Sequence, residues 1–110
     1  LVGRNNAEND RLTKSSARDD IFLHAHGCPG SHVILKRDGR ADQPPRSTLK
    51  EAASLAAYWS KARGAKNVPV NYTEIRYVQK PRGAAAGLVT IRNEKNLMVE
   101  PREIRREDAV

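Results

Sequence analysis

The chain has 110 residues and a net charge of +7, from 20 Lys and Arg against 13 Asp and Glu. That length suits one domain able to close a core without metal or disulfides, and the single cysteine, Cys28, excludes an internal bridge and fits a reducing compartment. No apolar run approaches the roughly 18 residues of a membrane span, while the positive charge favours a polyanionic partner through counterion release.

Leu1-Val2-Gly3-Arg4 opens inside an apolar stretch and reads as a strand end, which suggests a segment of a longer protein. Asn5 through Ser16 reads as a short helix with Asn5 as N-cap, since its side-chain oxygen can accept from the free N–H groups of the first turn. Residues 20–26 alternate, placing Ile21, Leu23 and Ala25 on one face and Phe22, His24 and His26 on the other. Gly27-Cys28-Pro29-Gly30 is turn chemistry. Ser31 to Arg37 follows as a second strand, with Val33 and Leu35 on one face and His32, Ile34 and Lys36 on the other, so the two strands form a hairpin. Residues 38–46 form a loop.

The spacing of Leu49, Ala52, Leu55, Ala56, Trp59 and Ala62 predicts a helix over 48–63 with a capping box from Thr48 to Glu51. Gly64 would end it as a left-handed cap, and Trp59 would supply most of its buried area. Val68-Pro69-Val70 is extended, yet Pro69 lacks a donor and argues against a central strand. Thr73 to Gln79 reads as a strand broken by Lys80-Pro81-Arg82-Gly83. Leu88 to Ile91 and Leu97 to Val99 read as two strands across an Arg92–Lys95 turn, and residues 101–110 as a charged tail or frayed helix. With five aromatic residues in all, a sheet face of stacking rings is not expected.

Several groupings bear on chemistry. His24, His26, Cys28 and His32 carry zinc-compatible atoms, but their spacing matches no well-marked zinc pattern, and no third group orients a Cys–His pair. Pro29-Gly30-Ser31-His32 can hold an anion at a turn. Arg76, Val78 and Lys80 share a face if the strand is regular, so Arg76 and Lys80, with Arg82 beyond, would clamp phosphate; the bland alternative is a solvated basic edge. Asn5, Asn6, Asn9 and Asp10 form a polar cluster on one side of the first helix, suited to base or ribose contacts or simply to capping.

Taken in order, Gly3-Arg4-Asn5-Asn6, Asn9-Asp10, Leu12-Thr13, His24 and Pro29-Gly30-Ser31-His32 resemble the NFACT-R domain of the RqcH and NEMF ribosome quality-control family. So do Glu51-Ala52-Ala53, Ala56-Ala57-Tyr58, Ser60-Lys61-Ala62-Arg63, Val68 to Thr73, Lys80-Pro81-Arg82-Gly83 and Gly87, and the likeness covers roughly residues 2 to 101. The family pattern commonly carries a lysine where His26 stands and an aliphatic residue where Cys28 stands, and the 38–46 loop is longer than usual.

The resemblance implies a cytoplasmic RNA-binding domain whose partners are tRNA and the large ribosomal subunit. It also implies rescue of stalled ribosomes with C-terminal alanine tailing, beside an NFACT-N domain in the full-length protein. The expected architecture is α+β: a mostly antiparallel sheet, the 48–63 helix on one face, a short N-terminal helix, a domain over 1–101 and a tail over 102–110. The expected RNA-contacting set is Arg4, Asn5, Asn6, Asn9, Asp10, His24, Ser31, His32, Arg76, Lys80 and Arg82, with no catalytic residue, metal or cofactor. The alternatives are a standalone RNA-binding protein, a fibronectin- or polyanion-binding module, and a metal- or thiol-dependent enzyme built on His24, His26, Cys28 and His32.

Overall fold

A computed structural model describes residues 2–3, 5–37 and 45–103. Helix α1 spans Asn6–Ser15, and Asn5 caps it as expected: its Oδ1 accepts the Glu8 N–H at 2.9 Å. Strands β1 (Ile21–Ala25) and β2 (Val33–Leu35) pair antiparallel with Phe22 opposite Ile34.

The period-two reading holds on both strands. Ile21, Leu23, Ala25 and Val33 join the main core with the alanine face of helix α2 (Arg46–Tyr58). Phe22 and Ile34 face the other way, into a second cluster with Leu12 of α1. The fold is thus α+β in three layers: α2, the sheet, and α1 with a small second sheet.

Helix α2 differs from its predicted span of 48–63. It begins after Pro45, whose φ of −56° already suits a helical start, and no side-chain cap bond forms; Thr48 and Glu51 lie inside the helix. It stops at Tyr58 because the next residues pair with the Pro29–Ser31 turn. The Trp59 carbonyl accepts from the Ser31 N–H and the Pro29 carbonyl from the Lys61 N–H, both at 2.9 Å. Buried Ser60 lies across a β-bridge from Gly30, and its hydroxyl donates to the Ala57 carbonyl at 2.7 Å. The approach is close enough that a Cβ on Gly30 would sit 2.8 Å from the Ser60 Cβ. Gly64 lies in the turns beyond and caps nothing.

Strand β3 (Val68–Glu74) contains Pro69 and is central, contrary to expectation: four strands run in the order β2-β1-β3-β6, where β6 is Lys95–Val99. The Pro69 carbonyl accepts from His26 N–H at 2.9 Å, so its ring nitrogen faces the same side, just where β1 has ended. Toward β6, Pro69 faces Met98 at a ladder position that, by antiparallel alternation, exchanges no bonds.

The predicted strand from Thr73 to Gln79 is broken. After Glu74 the chain turns through a 3-10 segment (Ile75–Tyr77), because the Ile75 and Arg76 N–H groups donate to the Asp20 and Arg18 carbonyls at 2.8 and 3.0 Å while Ile75 is buried. Strand β4 (Val78–Gln79) then pairs with β5 (Thr90–Ile91) in the second sheet. β5 and β6 therefore belong to different sheets and do not form the predicted hairpin. The reversal between them uses Asn93 at φ 55°, a conformation asparagine tolerates well.

Residues 101–103 have no regular structure; the rest of the predicted tail and residues 38–44 of the predicted loop lie outside the described residues. Among the described residues no helix is long and apolar enough to cross a membrane.

Candidate functional site

The start of α1, the Pro29–Ser31 turn and the end of α2 enclose an open cleft of about 360 Å³, lined by Asn5, Asn6, Ser31, Tyr58, Trp59, Lys61 and Arg63 among others. Sequence reasoning anticipated Asn5, Asn6 and Ser31 there, together with Asn9, and missed Tyr58, Trp59, Lys61 and Arg63. Trp59 in particular was expected inside the core. The helical stripe ceases to apply once the helix ends at Tyr58, and Trp59, at its C-cap, is 42% exposed.

The Tyr58 and Trp59 rings meet edge to face at 5.0 Å, and the Arg63 guanidinium lies 4.4 Å over the Tyr58 ring with Nη2 donating to its hydroxyl at 3.2 Å. Among the described residues no carboxylate lines the cleft and neither Lys61 nor Arg63 meets one. The available signal was the run Tyr58-Trp59-Ser60-Lys61-Ala62-Arg63, two rings followed by two cations just past a helix.

The other predicted contacts have varied surroundings. Asn5 spends its side-chain oxygen on the cap, so its amide Nδ2 is what it offers a ligand. Asn9 is buried: its Oδ1 accepts the His32 N–H at 3.0 Å, and Gly3 lies against it with no room for a side chain. Asn9 therefore ties α1 to the sheet.

His32 is only 2% exposed, edge-on to Phe22 at 4.9 Å and to His24 at 5.6 Å, with Nδ1 3.1 Å from the Thr13 hydroxyl. Burial first, and the neighbouring His24 second, push its pKa down to about 4, so the ring is neutral at pH 7. Burial also lowers the pKa of half-buried His24, which stacks with Phe22 at 6.4 Å. The two rings knit the second cluster together and supply no positive charge at neutral pH.

Asp10 and Lys80 form an ion pair at 3.2 Å. Burial raises the Asp10 pKa, but the Gly87 N–H at 3.1 Å and the Lys80 ammonium outweigh it and hold the carboxyl below its usual value. Lys80 also donates to the Ala85 carbonyl, so it fastens the 81–87 loop onto α1. Arg82 is exposed on that loop, and Asn6 lies against Gly87. Through α1, the cleft and the Arg82 loop are therefore contiguous.

Arg76 is not part of this surface pairing: it sits on the 3-10 turn and reaches Glu74 at 3.4 Å, so the expected Arg76–Lys80 clamp does not form. Arg4 lies outside the described residues. Of the rival metal or thiol grouping, exposed His26 engages Asn71 at 2.9 Å and Cys28 is a half-buried free thiol; among the described residues no group of three His, Cys, Asp or Glu side chains is placed to hold a metal.

Residues 1–93 match the family model described as NFACT protein RNA binding domain. Over 102 residues the chain is 48% identical to the Rqc2 homolog RqcH of Bacillus subtilis, covering 92% of this chain and 17% of that protein. It is 41% identical over 104 residues to the Rqc2 homolog RqcH of Streptococcus suis, covering 94% of this chain and 18% of that protein. The chain thus spans less than a fifth of these relatives. Among solved structures, the C-terminal part of the fibronectin/fibrinogen-binding protein from Streptococcus suis superposes with a TM-score of 0.85 at 38% identity, covering 98% of this chain and 41% of that one.

Proposed function

This chain belongs to the NFACT protein RNA binding domain family, and from that membership we propose that it binds RNA, with tRNA on a stalled large ribosomal subunit as its partner. In this reading it is the RNA-holding module of a cytoplasmic quality-control factor. It acts beside an NFACT-N domain of the same protein and supports C-terminal alanine tailing without catalysing a step itself. The names of the RqcH relatives support the setting; because the chain spans less than a fifth of them, tailing in this reading belongs to the whole factor.

One observation carries the RNA-binding reading: a cleft that gathers Lys61 and Arg63 with two aromatic rings and, among the described residues, no carboxylate, on a chain of net charge +7. Cations that meet no carboxylate among the described residues can neutralise phosphates, and the amide of Asn5 and hydroxyl of Ser31 can donate to ribose or base oxygens. Arg82 extends the basic surface past α1.

Fluorescence anisotropy with labelled tRNA tests the reading. Binding should weaken steeply as salt rises, by roughly 0.7 to 0.9 log units in affinity per log unit of salt for each phosphate contacted. Weak binding with no salt dependence contradicts it. The name of the Streptococcus suis relative favours fibronectin as a second reading; immobilised fibronectin retaining the chain at physiological salt in the presence of excess tRNA would support that instead.

A further inference from the structure

We propose that the cleft beside Trp59 holds one unpaired nucleotide of the bound RNA, its base stacked on the indole and its flanking phosphates against Lys61 and Arg63. The proposal rests on the RNA-binding reading and deepens it by naming the element of RNA structure that is read.

A large aromatic side chain left 42% exposed is unusual in a chain with only five aromatic residues, and the backbone that carries this one is bonded on both sides. The Trp59 main-chain N–H donates to the Leu55 carbonyl at 3.1 Å, its main-chain carbonyl accepts from the Ser31 N–H, and the two following residues are pinned against Pro29 and Gly30. The ring is thereby presented from rigid backbone, so little ordering remains to oppose stacking. Trp59 and Ser31 also line an adjoining, mostly apolar depression with Val2 and Gly3, which gives the indole open space on more than one side.

The Tyr58 ring is already engaged by Arg63, leaving Trp59 as the platform for a ligand. Bases inside an A-form duplex are stacked on one another and show only their edges in the grooves, so an indole can meet a base face only where the base is unpaired. Lys61 and Arg63 line the same cleft and can meet the backbone on which such a base is carried.

Two RNAs of equal length and charge test this: a hairpin with a single-stranded loop and a blunt duplex. Trp59 is the chain's one tryptophan, so its own fluorescence reports the site without any substitution. The hairpin should quench it and bind more tightly than the duplex, whereas adenosine monophosphate at the same nucleotide concentration should leave it unchanged. Trp59→Ala should weaken hairpin binding on the order of ten-fold and abolish the preference over duplex, while Trp59→Phe keeps most of it.

Equal, salt-sensitive binding of both RNAs with no quenching overturns the stacking site and leaves RNA binding standing. Equal quenching by the free mononucleotide overturns it in favour of a nucleotide pocket. Failure of both RNAs to bind overturns both readings.

Discussion

His32 shows how far a residue's setting can depart from its chemistry in isolation. As a sequence motif beside Pro29-Gly30-Ser31 it suggests a phosphate donor; in the fold it is a buried neutral ring that fills the space between Phe22, His24 and Thr13. Nothing in the local sequence distinguishes the two, because the difference is made by α1 closing over it from a distant part of the chain.

The buried ring has a consequence for stability. Its folded pKa of about 4 lies below the unfolded value near 6.5, so between these pH values the unfolded chain binds more protons. Stability from this residue is full above pH 6.5 and falls as pH drops toward 4, by up to about 3 kcal/mol. Denaturant midpoints measured from pH 7 to 4 should decline over that window, and the decline should be smaller in His32→Gln. An equal decline in both would show that other groups set it. His24, lowered in the same direction, adds to the slope. The Asp20 carboxyl acts only toward the bottom of this range and below: burial pushes its pKa up, but the Arg37 and Ala17 N–H groups and Lys36 outweigh it and hold the pKa below its ordinary value.

At the scale of elements, local signals were readable wherever they were local in cause. The Asn5 cap, the alternation of residues 20–26 and 31–37, and the alanine stripe of α2 all rest on neighbours within a turn or a pleat. The misread features have tertiary causes. Helix α2 ends where the Pro29–Ser31 turn captures residues 59–61, β3 ends where the α1–β1 connection captures Ile75 and Arg76, and Pro69 is tolerated because β1 stops beside it.

Two glycines separate the readings of the helix end. Gly30→Ala should destabilise by about 1–3 kcal/mol, because its new Cβ would press on Ser60. Gly64→Ala meets nothing within 4 Å and should be neutral or stabilising by up to about 1 kcal/mol. Chemical denaturation of both variants checks this; a large loss at Gly64 with none at Gly30 would restore Gly64 as the cap.

At the scale of the molecule, a net charge of +7 points to a polyanion, but charge alone does not say where it binds. The fold sorts the cations. Lys36, Arg37, Arg76 and Lys80 are committed to Asp20, Glu74 and Asp10, whereas Lys61 and Arg63 line a cleft in which no described residue is a carboxylate. That sorting was not legible in the sequence. It depends on which acids the sheet and α1 bring alongside each base, and on a helix end that turns Trp59 outward.

Titrating labelled tRNA over a range of salt against the unaltered chain, Lys61→Ala/Arg63→Ala and Arg76→Ala puts this sorting to the most direct test. The double substitution should weaken binding and flatten the slope of log affinity against log salt by about 1.4 to 1.8 units. Arg76→Ala should leave affinity within about two-fold. A double variant indistinguishable from the unaltered chain, or a larger loss from Arg76→Ala, would contradict the assignment of RNA to the cleft beside Trp59.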